Sequence, residues 1–176
     1  MSKIQSVLIS EQTIAEKVNE IAIQISEDYK GKDLLLVGIL KGSVVFLADL
    51  MRRITIPVSI DFMAISSYGN GTVSEDICIL KDLDSNIDGR HILIIEDILD
   101  TGKTLRRIVD LLSCKNPASV NICALLDKPD RRLVDIECKY KPIVIPDEFV
   151  VGYGMDCAEA YRNLPYIGIL SPCMTG

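Results

Sequence analysis

The chain has 176 residues, 48% of them hydrophobic, and its 25 acidic and 19 basic side chains give a formal net charge of −6. This length corresponds to one domain, with a core that needs neither disulfides nor a structural metal. The acidic balance argues against binding nucleic acid or an anionic membrane through bulk charge. The absence of Trp, with only 5% aromatic residues, argues against a stacking platform for single strands.

The six cysteines are scattered, without a CxxC pair or a Cys/His cluster of zinc-ligand spacing. We expect most of them to be small buried apolar residues. The N-terminus lacks the basic-then-apolar layout of a signal peptide, and the longest uncharged apolar stretch, at 34–40, is too short to cross a bilayer. These features predict a protein of the reducing cytoplasm without a membrane partner.

The first half of the chain alternates helical and strand patterns. Apolar residues within 11–30 recur at the i, i+4, i+7 spacing that predicts an amphipathic helix. The continuous apolar run at 34–40 predicts a strand covered on both faces, followed by a helix capped by Ser43. The β-branched residues of 54–65, around Pro57, predict a second strand.

The second half continues this alternation after a polar segment. Residues 67–76 contain the turn-forming sequence Gly69-Asn70-Gly71, which predicts an exposed, mobile hairpin. The remainder after position 126 mixes short strands with loops rich in Pro and Gly. The other predicted elements are strands at 77–80 and 92–95, a helix at 101–114 and a strand at 119–126.

Buried strands that alternate with helices predict an α/β fold, an open, mainly parallel twisted sheet flanked by helices. We expect residues 1–176 to form a single domain. Ligands of such sheets bind at the carboxyl ends of the strands. The chemistry is therefore expected in the loops after Leu40, Ile95 and Leu126.

The segment EDILDTGKT at 96–104 lies between a predicted buried strand and a helix. The N–H groups at the start of that helix favour a phosphate, and we expect Gly102 to let the backbone approach the anion. The carboxylates of Glu96 and Asp97 suit the vicinal hydroxyls of a sugar phosphate, or a nearby Mg²⁺. A Walker A loop shares the GKT ending but requires a glycine where Asp97 stands. A solvated acidic loop is the alternative.

The sequence IIEDILDTGKT closely resembles the phosphoribosyl diphosphate motif of type I phosphoribosyltransferases, in the branch that uses 6-oxopurines. Four other segments resemble that family's motifs in the same order, so the resemblance covers almost the whole chain. An ordered set of motifs is far more specific than one of them. The four segments are LKGS at 40–43, SSYGNG at 66–71, DKPDRR at 127–132 and PDEFVVGYGMD at 146–156.

The resemblance implies the fold of that family, with a small hood built from the chain ends. Residues of about 140–176 would contribute to a base-binding hood, and 66–76 would be a mobile loop. The family often has a cis peptide before the lysine that here is Lys41. A loop with this bond would turn its N–H groups toward pyrophosphate.

The resemblance also implies roles for individual residues. Glu96 and Asp97 match the acids that hold the ribose hydroxyls, and the 5′-phosphate would bind on the loop 100–104. Asp100 matches the general base or acid at N7 of the purine, although a helix N-cap is its structural alternative. The residues implied to bind phosphoribosyl diphosphate are Lys41, Gly42, Ser67, Tyr68, Glu96, Asp97, Asp100, Thr101, Gly102, Lys103, Thr104 and Arg162.

A second set of residues matches the family's purine pocket. Phe149 would stack on the base, the backbone of Val150 would meet its edge, and Lys128 would donate to the oxygen at C6. Such a donor favours 6-oxopurines over adenine, whose amino group is itself a donor. The implied purine-binding residues are Lys128, Phe149, Val150 and Asp156, and the implied Mg²⁺ ligands are Glu96, Asp97 and Asp156.

The implied activity is Mg²⁺-dependent transfer of 5-phosphoribosyl from phosphoribosyl diphosphate to N9 of hypoxanthine and guanine, in purine salvage. The resemblance suggests a homodimer or homotetramer. The alternative from another class is a regulator of this fold that senses nucleotides and binds RNA or DNA, against which the acidic charge argues. A pyrimidine or adenine phosphoribosyltransferase is a third possibility, against which Lys128 and Phe149 argue.

Three further residues can have structural or surface roles instead of functional ones. His91, the only histidine, is expected to be structural. For Arg131 and Arg132, contact with substrate and a solvated or interface role remain open.

Overall fold

The computed structural model describes residues 4–67 and 77–171. The predicted hairpin, including Tyr68, lies outside the described residues, except that Ser67 ends a strand. The helices are α1 (Glu11–Asp28), α2 (Val44–Met51) and α3 (Lys103–Ser113). The strands are β1 (Ile4–Ile9), β2 (Leu34–Leu40), β3 (Ser59–Ser67), β4 (Ile77–Lys81), β5 (His91–Leu99), β6 (Ser119–Asp127), β7 (Ile143–Val144), β8 (Val150–Val151) and β9 (Ile167–Leu170).

The main sheet has six strands in the order β4-β3-β2-β5-β6-β7. All neighbouring pairs are parallel except β3 with β4, which lies antiparallel at one edge. This arrangement confirms the predicted α/β fold with a mainly parallel sheet. From β2 the chain proceeds to β3 on one side and then to β5 on the other, so the direction of winding reverses between β2 and β5.

The two faces of the sheet bury alternate residues of the same strands, because successive side chains of a strand point to opposite faces. Leu34 and Leu36 pack with α1 and α2 in one core, whereas Leu35 and Val37 pack with α3 in the other. The same alternation holds along β5 and β6. A strand buried on both faces reads as a continuous apolar run, which is why these three strands were predictable.

A second, smaller sheet has the order β1-β9-β8 and is antiparallel. It joins a strand from near the start of the chain to strands from its last quarter, as the family resemblance implies for the hood. Strand β1 was not predicted. Its burial is low except at Ile9, so its sequence lacks a sustained core pattern.

Several predicted bounds differ from the structure. Strand β3 begins at Ser59, after Pro57, which has no N–H to donate to a sheet. Strand β5 continues past Ile95 to Leu99, so Glu96 and Asp97 belong to the strand and not to the loop after it.

Ser43 occupies the predicted N-cap position of α2, but its side chain does not cap the helix. Its backbone is already helical, and its hydroxyl donates to the carbonyl of Ile39 at 2.7 Å instead of accepting from the N–H groups of α2.

The expectation that most cysteines are buried is also wrong. Among the five described cysteines only Cys123 is buried, and Cys114 is exposed. All five are free thiols. No helix within the described residues is long and apolar enough to span a membrane.

Asp61 anchors the connection between β4 and β5. Its side chain is 6% exposed and accepts from the backbone N–H groups of Phe62, Asp84 and Ser85. Burial by itself raises the pKa of this carboxyl, but these donors, with Lys81 nearby, lower the pKa below its ordinary value. A lowered pKa in the folded state means that the ionised carboxylate stabilises the fold.

We expect Asp61→Asn to lower the free energy of unfolding by about 1–3 kcal/mol near neutral pH, because buried donors lose a charged acceptor. The loss should be full above the unfolded pKa of about 4 and should disappear as the pH falls through the lower folded pKa. Urea titrations at about pH 7 and about pH 3 would measure this. Asp84→Asn is the control, because the Asp84 side chain is 81% exposed. An equal effect of both variants would contradict the prediction.

Candidate active site

The carboxyl ends of β2, β5 and β6 lie side by side, at the place where the winding of the sheet reverses. Open α/β sheets form ligand crevices at this point, because the loops from adjacent strands diverge there. A cleft of about 440 Å³ occupies the position. It is lined by Lys41, Gly42, Asp97, Ile98, Asp100, Lys128, Arg131, Phe149, Val150, Met155, Asp156 and Arg162.

Nine of the predicted site residues line this cleft, although they come from four separated segments of the chain. Glu96 lies next to it on β5. Residues 101–104 follow Asp100 but do not line the cleft. Nothing is described of the side chain of Ser67 or of Tyr68.

The loop after β2 is held between two other segments without room for side chains. A Cβ atom on Gly42 would lie 1.8 Å from Oδ2 of Asp97, so the backbone of Gly42 packs directly on that carboxylate. On its other side, a Cβ on Gly154 would lie 2.1 Å from the carbonyl oxygen of Gly42. Gly154 also has a φ of +100°, which favours glycine. The peptide bond between Leu40 and Lys41 is cis, as the family resemblance suggests.

The carboxyl groups of Glu96 and Asp97 lie close together, and within the described residues neither makes an ion pair, although the charge of Arg162 acts on Asp97. Burial raises the pKa of Glu96 well above its ordinary range, and the neighbouring charge of Asp97 raises it further. Burial also raises the pKa of Asp97, although the N–H of Ile98 donates to Oδ1 at 2.8 Å and partly opposes this. Oε2 of Glu96 is buried and has no hydrogen-bond partner among the described residues.

This pair therefore fits a bound cation or hydroxyl donors. No group of three acidic, His or Cys residues within the described part of the chain is arranged to hold a metal by itself. Two carboxylates plus ligand oxygens and water match the way in which proteins hold Mg²⁺.

Asp100 follows β5 directly and faces the cleft. Its Oδ1 lies 2.7 Å from Nε of Arg131, which also reaches Asp147 at 3.3 Å. Arg131 thus contacts the proposed catalytic carboxylate, a role that the sequence left open. The alternative role of Asp100 as a helix N-cap is wrong, because Gly102 occupies that position.

The structure gives a further reason for glycine at position 102. Gly102 has a φ of +80°, and an added Cβ would lie 2.7 Å from Cγ2 of Ile136 and 3.0 Å from Cγ2 of Val134. The glycine is required by this backbone conformation and by close packing against residues 134–136. The N-terminus of α3 nevertheless follows this turn, as the phosphate-binding prediction requires.

The predicted purine-binding residues also line the cleft. Lys128 is only 8% exposed, and its ammonium group donates to the carbonyl of Glu148 at 2.7 Å. The side chain of Phe149 is 56% exposed although it is a large apolar residue, while Val150 is buried in the small sheet. An exposed ring beside a buried ammonium group can bind a flat, polar heterocycle.

Lys41 and Arg162 bring two cations to the same end of the cleft. Arg162 donates to the carbonyl of Gly154 at 2.8 Å and binds Asp156 Oδ1 at 2.7 Å. The other oxygen of Asp156 accepts from the N–H of Glu159, so both oxygens of this predicted metal ligand already have partners. Glu159 lies between Lys41 and Arg162, and no motif in the sequence drew attention to it.

A larger cleft, of about 620 Å³, lies beside β6 and contains Arg132. Arg132 is paired with Asp127 there. We assign the site to the smaller cleft, because that one lies at the reversal point and contains the carboxylates and cations.

Known proteins are similar to this chain over almost its whole length. The family model described as "Phosphoribosyl transferase domain" matches residues 6–158. A hypoxanthine-guanine phosphoribosyltransferase of Staphylococcus aureus is 53% identical over 170 residues, which cover 96% of this chain and 95% of that protein. A crystal structure of a hypoxanthine phosphoribosyltransferase from S. aureus has a TM-score of 0.94 at 52% identity and covers 98% of this chain and 95% of that chain.

A longer relative is also similar to this chain. The "Bifunctional protein TilS/HprT" of Listeria monocytogenes is 51% identical over 170 residues. These residues cover 96% of this chain but only 26% of the length of that relative.

Proposed function

The chain belongs to the phosphoribosyl transferase family, and on that premise we propose that it transfers 5-phosphoribosyl from phosphoribosyl diphosphate to N9 of a 6-oxopurine. Hypoxanthine is the first proposed acceptor and guanine the second, which gives IMP or GMP and pyrophosphate in purine salvage. The observation that carries the proposal is the cleft at the sheet reversal, where Asp97, Asp100 and Lys128 meet.

Asp100 is proposed to exchange the proton at N7 of the purine while N9 attacks the anomeric carbon. A carboxylate in contact with the reacting base can act as a general acid or base, and Arg131 holds it in position. Glu96 and Asp97 are proposed to accept hydrogen bonds from the ribose hydroxyls. The 5′-phosphate would bind on the loop 100–104, at the start of α3.

The base is proposed to lie on Phe149, with its oxygen at C6 facing the ammonium group of Lys128. Lys41 and Arg162 would bind the pyrophosphate group, together with the N–H groups of the loop at Gly42. Donors that are already positioned stabilise developing charge without reorganisation.

Mg²⁺ is the proposed cofactor, held by Glu96 and Asp97 with oxygens of the substrate, and it would neutralise charge on the leaving pyrophosphate. Oε2 of Glu96 supports this placement, because it is buried and no group in the described part of the chain bonds to it. We propose that Asp156 supports the Mg²⁺ and purine site indirectly. Both of its oxygens already have partners, Arg162 and the N–H of Glu159.

The oligomeric state and the cellular location of the protein are also part of the proposal. A homodimer or homotetramer remains a prediction from the family, as does the role of 66–76 as a mobile loop and of 140–176 in a base-binding hood. The free thiols of the five described cysteines support a reducing, cytoplasmic location.

The proposed activity is tested with purified protein, free of nucleic acid, supplied with Mg²⁺, phosphoribosyl diphosphate and one base at a time. Formation of IMP from hypoxanthine is expected, with turnover of guanine and far slower use of adenine. Parallel reactions with xanthine would rank the 6-oxopurines. If no base were converted while the protein bound RNA or DNA, the regulator would be the better interpretation.

The Lys128→Met variant tests base recognition. We expect kcat/KM for hypoxanthine to fall roughly 10- to 100-fold, because a hydrogen bond from a charged group to the base is lost. The KM for phosphoribosyl diphosphate should change little. Steady-state kinetics with each substrate varied in turn would measure both quantities. Lys139→Met is the control, since Lys139 lies over the rings of Tyr29 and Tyr140. An unchanged kcat/KM for hypoxanthine in Lys128→Met would contradict the assignment.

A further inference from the structure

Glu159 binds both cations that the proposed function assigns to pyrophosphate. Its Oε2 lies 3.0 Å from Nζ of Lys41, and its Oε1 lies 3.4 Å from Nη2 of Arg162. Lys41 is 118 residues away in the sequence, so this contact exists only through the fold. One carboxylate therefore bridges two side chains that are otherwise suited to an oligophosphate.

The turn that carries Glu159 has an unusual backbone. Ala158 has a φ of +50° and Glu159 a φ of +63°, and both lie between the bridged residues Cys157 and Ala160. Non-glycine residues rarely adopt this region, and such conformations cluster at functional sites. The N–H of Glu159 is held by Asp156 Oδ2 at 2.9 Å. The turn thus has a defined conformation that presents the Glu159 carboxylate to the two cations.

The two acids that bind Arg162 differ in exposure. The Asp156 side chain is 29% exposed, whereas that of Glu159 is 66% exposed. Arg162 also donates to the carbonyl of Gly154, so it keeps two partners when Glu159 leaves. Lys41 is equally open, with 65% of its side chain exposed. Glu159 can therefore swing away without disturbing the position of Arg162.

We propose that Glu159 is an internal competitor for the pyrophosphate group, bound to Lys41 and Arg162 in the free protein and displaced when the anionic substrate binds. The inference rests on the proposed function, because it concerns the same anion site. In the free protein the carboxylate keeps the two cations paired. During turnover its return would favour release of pyrophosphate.

The proposal predicts that removing this one charge strengthens binding of the anion. In Glu159→Gln we expect the Kd for inorganic pyrophosphate, in the presence of Mg²⁺, to fall roughly three- to tenfold, which is the range for two lost exposed ion pairs. The KM for phosphoribosyl diphosphate should fall by a similar factor, while the KM for hypoxanthine stays the same. Pyrophosphate should also become a stronger product inhibitor.

The binding is measured by isothermal titration of inorganic pyrophosphate into the wild-type protein and each variant, beside steady-state kinetics. Asp130→Asn is the matched control, because it removes one exposed negative charge at the same end of the sheet, on the short 3-10 helix Pro129–Arg131. We expect this control to keep the wild-type Kd. A general effect of net charge would shift both variants equally and overturn the proposal.

Other outcomes are equally decisive. Weaker binding of pyrophosphate by Glu159→Gln would mean that Glu159 supports the site instead of competing for it, and an unchanged Kd would mean that it does neither; both overturn the inference. A thermal unfolding curve checks that the variant is folded, and Glu159→Ala must show the same direction of change. If the wild-type protein binds pyrophosphate but converts no purine, the proposed function fails. The Kd values for pyrophosphate of the wild type and Glu159→Gln still test this inference.

Discussion

Replacing Asp100 with asparagine should lower kcat roughly 10²- to 10⁴-fold, the usual contribution of a general acid or base. Asparagine has nearly the same shape as aspartate and leaves Nε of Arg131, which lies 2.7 Å from Oδ1 of Asp100, beside the new side chain. It cannot exchange a proton with N7 of the purine. The KM values for hypoxanthine and phosphoribosyl diphosphate should therefore change only modestly, and steady-state kinetics would separate the two effects.

A control is needed because Asp100→Asn also weakens an ion pair of Arg131. Asp147→Asn removes the other carboxylate that Arg131 binds, at 3.3 Å, without touching Asp100. We expect this control to change kcat by no more than roughly fivefold, as is typical of an exposed ion pair. Wild-type turnover in Asp100→Asn would refute the catalytic role. Equal losses of kcat in both variants would assign the effect to Arg131 or to Lys128, whose ammonium group also lies 3.6 Å from Asp147.

The Gly42→Ala variant should lower kcat/KM for phosphoribosyl diphosphate roughly 100-fold, since displacing a site group by about 1 Å has an effect of that size. The added Cβ would lie 1.8 Å from Oδ2 of Asp97 and 2.7 Å from its Cγ. Either the carboxylate or the loop at Gly42 must move. The loop is blocked on its other side, where the carbonyl of Gly42 already lies against Gly154.

Gly31→Ala separates this steric effect from the general effect of replacing a glycine. Gly31 has a φ of +74°, but an added Cβ would meet no atom of the described residues within 4 Å. This control should lose about 1 kcal/mol of stability from its backbone conformation and keep wild-type activity. Gly42 lacks a positive φ, so Gly42→Ala should lose activity without this cost of backbone conformation. Full activity in Gly42→Ala would show that the contact with Asp97 does not matter for the reaction.

Most of the main sheet could be predicted from the sequence, because its pattern is local. Strand β2 has the predicted bounds, Leu34–Leu40, since a strand covered by helices on both faces is apolar at every position. The edge elements were less predictable. Strand β1 alternates weakly and pairs with β9 from the far end of the chain, so no nearby residue reveals it.

Some residues of the candidate site could likewise be predicted from a local pattern, and others could not. The acids at 96–97 and 100 and the turn at Gly102 form one short segment whose order in the chain already indicates a sugar phosphate and a helix N-terminus. Lys128 and Phe149 were assigned only through a resemblance to a family. An exposed phenylalanine is not distinguished from a core residue by its spacing, whereas the structure shows it at the cleft.

The sequence by itself determined which segments form buried strands and which short motif has the chemistry of a sugar phosphate site, because hydrophobic periodicity and turn residues act over a few positions. Only the tertiary structure decided which distant groups touch. The order of β2 beside β5 places Gly42 against Asp97, and the fold of the last quarter places Gly154 and Glu159 against the same loop. Such contacts depend on the packing of whole elements, so no local pattern in the chain encodes them.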